Sequence, residues 1–105
     1  MATGTSADRR VVFNVLDAMD APHTGRILRL RLQSGDAPPI KGLKGATLVA
    51  HGPDGERVPV EVKGFPTFGG KPSDDRLART GRVDLHVVER GDEGPVGLRW
   101  EVTLD

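Results

Sequence analysis

A chain of 105 residues has the length of one domain, and its fifteen basic and fifteen acidic side chains cancel, so no overall charge draws it toward nucleic acid or an anionic membrane. The absence of cysteine excludes a disulfide framework and any thiolate metal site. No apolar run is long enough to cross a bilayer and the first ten residues lack a signal-peptide core, which makes a cytoplasmic protein without a membrane partner the expectation.

Met1 to Asp8 is small, polar and aperiodic and reads as a flexible tail, leaving residues 9–105 as a single ordered domain. Strand signals then follow one another, each an alternation of apolar and polar residues bounded by Gly, Pro or Asp. The first strand is expected over Arg10 to Asp17. The second, over Arg26 to Gln33, has the cleanest alternation: Leu28, Leu30 and Leu32 share one face and should line the core, while Ile27, Arg29 and Arg31 share the other. The third, Ala46 to His51, and the fourth, Arg57 to Lys63, are joined by Gly52-Pro53-Asp54-Gly55, in which proline presets the turn and glycine supplies a positive φ. Val58, Val60 and Val62 form the inner face of the fourth strand. Pro59 has no amide to donate, which predicts an edge strand or a bulge.

Gly64 to Thr80 reads as a long irregular loop with no more than a helical turn near Ser73 to Ala78. The fifth strand, Arg82 to Glu89, turns Val83, Leu85 and Val87 inward. The sixth places Val96, Leu98, Trp100, Val102 and Leu104 on one face, with Trp100 as the largest core contributor. Six short strands with hairpin signals and no persistent helical period define an all-β class, a small antiparallel barrel or sandwich.

The stretch Phe13-Asn14-Val15-Leu16-Asp17, with Gly25 eight positions on, Gly35 ten beyond that and then Ile40-Lys41-Gly42, resembles the opening of the domain 2 barrel of elongation factor Tu. Further along, Val62-Lys63-Gly64-Phe65 and Ala78-Arg79-Thr80-Gly81-Arg82-Val83 resemble later segments of that family, so the similarity spans almost the whole ordered chain. It implies a six-stranded antiparallel β-barrel of the translation-protein type, standing alone and contacting RNA or a ribosome-associated partner. Asp36 to Pro39 and the Gly64 to Thr80 loop lengthen the family pattern where its members meet an aminoacylated RNA end. No binding residue of the family is therefore carried over individually.

Read for chemistry, the residues offer little catalysis. Gly69-Gly70-Lys71 lacks the preceding glycine and the following hydroxyl of a phosphate-binding loop, since Phe65 and Pro72 stand there, and no nucleotide or other cofactor is expected. Asp17, Asp20 and His23 recur every third residue, but a loop containing Pro22 does not converge them on a metal as a helix would, and no metal site is expected. His51 and His86 read as surface strand residues, and neither Ser34 nor Ser73 sits in a nucleophile elbow.

Two basic clusters remain: Arg26, Arg29 and Arg31 with Lys41 and Lys44, and Arg76, Arg79 and Arg82. Guanidinium groups suit phosphates, and Phe65 or Phe68 could stack a base, so these residues form the expected RNA or partner surface. A solvated barrel exterior with arginines paired to acids on neighbouring strands explains the same residues equally well. The sequence reading is thus a non-enzymatic binding module directed at RNA or a ribosome-associated partner, not DNA. The second reading is a protein-interaction subunit or homodimer, and a third is a small hydrolase using His and Asp near the Gly64 to Thr80 loop.

Overall fold

Apolar residues at every second position need a common interior, and here six strands supply it together. The structure, a computed structural model, describes residues 11–22, 24–66 and 73–104, so the tail expected over Met1 to Asp8 lies outside the described residues. Its strands are β1 (Val12–Asp20), β2 (Arg26–Ser34), β3 (Thr47–His51), β4 (Arg57–Gly64), β5 (Arg82–Glu89) and β6 (Glu101–Leu104). Two short helices interrupt them, α1 (Ile40–Leu43) after β2 and α2 (Asp74–Thr80) after β4. All six strand pairs are antiparallel, in the spatial order β1-β2-β5-β4-β3-β6. The short β6 pairs with both β3 and β1, which closes the sheet into a barrel and gives every strand two neighbours.

The interior follows the expected alternation on β2, β4 and β5. Leu28, Leu30, Val58, Val60, Val62, Leu85 and Val87 are all fully buried. Each leucine removed from water in this way contributes about 1.5–3 kcal/mol. Leu32 is half-buried at the end of β2 and packs on the edge of this core. Leu43 of α1 and Leu77 of α2 enter the same cluster, so each helix is anchored by one leucine.

α2 shortens the loop expected over Gly64 to Thr80, and its ends explain why it forms. The Ser73 hydroxyl accepts a hydrogen bond from the Arg76 amide at 3.1 Å, Asp74 and Asp75 occupy the positive first turn, and Gly81 at φ +72° ends the helix. The Ile40 amide donates to the Asp74 carboxylate at 2.6 Å, tying α1 to the start of α2.

Two expectations for the strands are corrected. Pro59 lies within a strand that has neighbours on both sides, paired with Val49 of β3, and is not at an edge; the expected alternative, a bulge, is present in β4, where the register with β5 slips between Val62 and Gly64. The Pro59 carbonyl accepts from the Arg90 amide at 2.8 Å, so its missing N–H falls where β5 has just ended, and only the bond reciprocal to that one is forgone. The sixth strand is also shorter than its alternation predicts. Arg99 adopts a left-handed φ of +68°, which breaks the extended chain, and Leu98 is 60% exposed. Trp100 is half-buried against the core's rim, where Gly97 leaves room for it: a Cβ there would lie 2.9 Å from the indole nitrogen. Phe13, not Trp100, is the largest fully buried side chain.

The register between β1 and β2 slips twice. Val15 faces Leu30 and Asp17 faces Arg29, leaving Leu16 as an extra residue, and Phe13 faces Leu32 while Val12 faces Ser34, leaving Gln33 as another. Each is a β-bulge, a device that locally re-aims side chains.

Candidate functional site

The two bulges flank a shallow groove on the outside of β1 and β2, about 360 Å³ in volume and open to solvent, lined by Asn14, Leu16, Arg31, Leu32 and Gln33. Its polar character comes from how outward residues line up across strands. One row runs Asp17, Arg29, Asp84 from β1 through β2 to β5. Here Arg29 donates to both Asp84 oxygens, at 3.1 and 3.4 Å, and the hydrogen bond to Asp84 holds its guanidinium yet more firmly in the charged form. Asp17 adds a weaker attraction and accepts the Ala18 amide at 2.9 Å. Arg29 is thereby paired, and the row holds one more carboxylate than guanidinium.

The adjacent row crosses all six strands: Arg57, His51, Glu101, Asn14, Arg31, Arg82. His51 Nε2 lies 3.0 Å from the Thr103 hydroxyl, the Asn14 amide donates to the Arg99 carbonyl at 3.2 Å, and Gln33 donates to Glu101 at 3.5 Å. Arg31 and Arg82 stand directly opposite each other and are both exposed. Neither forms a salt bridge among the described residues. Like charges facing across a strand pair repel, so this rung is a local surplus of positive charge.

The remaining expected site residues are distributed around the barrel. Arg26 does not share the Arg29–Arg31 face: parity puts it on the side of Leu28, and its side chain, 17% exposed, pairs with Asp20 at 3.3 Å and Glu89 at 3.4 Å. Lys41 is exposed on α1. Arg76 and Arg79 are exposed on α2, where Arg79 pairs with Asp75 at 3.6 Å one turn away. Phe65 is half-buried and packed against the core, which removes it from the solvent face where a base would stack. Phe68 and His23 lie outside the described residues. Asp17 and Asp20 face different basic partners, Arg29 and Arg26. Ser73 serves as the α2 cap, and His86 Nε2 meets the Thr24 carbonyl at 2.7 Å.

Nothing in the sequence singles out Asn14, Leu16 or Gln33, and proximity along the chain groups Arg82 with Arg76 and Arg79, away from its true neighbour Arg31. Residue spacing along one strand gives no access to the register between β2 and β5, which are separated by two intervening strands in the chain. Comparison with family models, curated proteins and solved structures finds no match to this chain.

Proposed function

We propose that this protein is a non-enzymatic barrel module that binds RNA through the outward face of β1, β2 and β5. The observation that carries the reading is the opposed Arg31–Arg82 pair, exposed and without a counter-ion among the described residues, beside a groove opened by two bulges. A folded protein that keeps two guanidinium groups in mutual repulsion has positioned them for an external anion, and the phosphate backbone is the anion an arginine fork fits best. The likeness to elongation factor Tu domain 2 supports the same reading. Two of its marker residues, Gly25 and Gly35, take positive φ values of +82° and +84°, as turn glycines must.

The test is fluorescence anisotropy with labelled single-stranded RNA across a salt series. Wild type should bind with salt-dependent affinity, and the Arg31→Ala, Arg82→Ala double variant should bind more weakly, its log–log slope shallower by about 0.7 for each phosphate that is no longer neutralised. Absence of RNA binding by wild type at low salt would refute the reading. In that case Leu16 and Leu98, the exposed large apolar side chains among the described residues, would favour a protein partner instead.

A further inference from the structure

Arg31 and Arg82 have a geometry more specific than a basic patch. As direct cross-strand partners, their Cβ atoms are about 5 Å apart, close enough for both guanidinium forks to converge on one tetrahedral anion. Successive phosphates along a strand would need cations spaced further apart, as Arg29 and Arg31 would be if Arg29 were free. It is not, because Asp84 holds it. Other acids of this side of the barrel have partners of their own. Asp84 is taken by Arg29, Glu101 lies beyond Asn14 and accepts from Gln33, and Asp75 of α2 is paired with Arg79. Neither guanidinium has a carboxylate partner among the described residues, while Glu101, whose hydrogen-bond partner Gln33 is neutral, keeps its charge further along the same row.

A phosphodiester brings one negative charge and would leave one of the two guanidinium groups unmatched. A phosphomonoester brings about 1.5 to 2 near neutral pH and matches both. We propose that the Arg31–Arg82 rung seats a single phosphate dianion held jointly by the two guanidinium groups, so that on RNA it takes a phosphomonoester in preference to an internal diester. This rests on the RNA-binding reading for its biological ligand, but the seat itself is measurable with small anions.

The experiment titrates the full chain with inorganic phosphate, sulfate and dimethyl phosphate at fixed ionic strength, following the backbone amide signals of Arg31 and Arg82 by NMR. Phosphate and sulfate should saturate with affinities at least tenfold above dimethyl phosphate. Lowering the pH from about 8 to about 5.5 should weaken phosphate and leave sulfate unchanged, because only phosphate loses its second charge across that range. Arg31→Gln or Arg82→Gln should reduce phosphate affinity at least tenfold. In phosphate-free buffer Arg82→Gln should melt no lower than wild type, since it relieves a repulsion; a lower melting point would mean that an internal partner occupies Arg82, and would overturn the proposal. Equal responses to phosphate and dimethyl phosphate would also overturn it. RNA binding by wild type without any response to phosphate would remove the seat and leave the RNA reading standing, whereas failure of both titrations would remove both.

Discussion

Arg29 and Arg31 lie two positions apart on one face of β2, yet what stands opposite decides what each can do. Asp84 faces the first and Arg82 the second. A partly exposed surface pair such as Arg29–Asp84 adds only about 0.2–1 kcal/mol to stability, so removing both partners together should scarcely move the melting point. The Arg29→Ala, Asp84→Ala variant should also keep RNA affinity within about twofold of wild type, because the net charge beside the groove is unchanged; anisotropy against the Arg31→Ala variant makes the comparison. Glycines divide in a similar way. Gly25 and Gly55 both have φ near +85°, but a Cβ on Gly25 would run into the Val87 carbonyl oxygen while one on Gly55 meets open space. Gly55→Ala should therefore cost about 1 kcal/mol, the conformational penalty alone. Gly25→Ala should cost more, and denaturant midpoints of the two variants measure the difference.

At the level of strands and helices, β2 contributes Leu30 at full burial, and Leu30→Ala should destabilise by about 2–5 kcal/mol, read from the unfolding midpoint. On β4, Glu61 faces Arg90 and, at 3.1 Å, Lys63; hydrogen bonds from Arg90 first and Lys63 second hold its carboxyl below the usual range. A lowered folded-state pKa contributes stability above the unfolded value, about 4.3, and loses it as pH falls through the folded one. The melting difference between wild type and Glu61→Gln should thus be present at neutral pH and vanish in acid. Strands β2 to β5 were legible in the sequence because alternation bounded by turn residues is a local signal, and their expected bounds fall within one residue of those observed. Where the outcome depended on non-local facts, legibility stopped. Val96 to Leu104 alternates like a strand, but Arg99 turns the chain, so Leu98 faces water. α1 is four residues long, too short to show a helical period, and Pro59 could be placed only once the end of β5 was known. The candidate site was half legible: the arginines of β2 stood out, while their sorting into a paired and an unpaired member required the partner strand.

The whole molecule is a ring of antiparallel pairs in which the closing contact, Phe13 with Val102, joins residues 89 positions apart. Barrels of such non-local pairing fold in milliseconds to seconds, not microseconds, and stopped-flow refolding should show this. Val102 is fully buried at that seam, and Val102→Ala should speed unfolding more than it slows folding if closure is late, which the two arms of a chevron plot separate. The sequence holds no phosphate-binding loop, so calorimetry should show GTP binding no more tightly than inorganic phosphate.

Closure by β6 also sets an order of events during synthesis. The four residues Glu101–Leu104 bridge β3 and β1, two strands made much earlier. A nascent chain that has presented β1 through β5 still has two open sheet margins, one on β1 and one on β3, each a template for pairing with another copy. Until β6 leaves the ribosome, the barrel can be assembled only as an open sheet. Nascent chains arrested before Glu101 should be cut readily by protease, and the released full chain should resist.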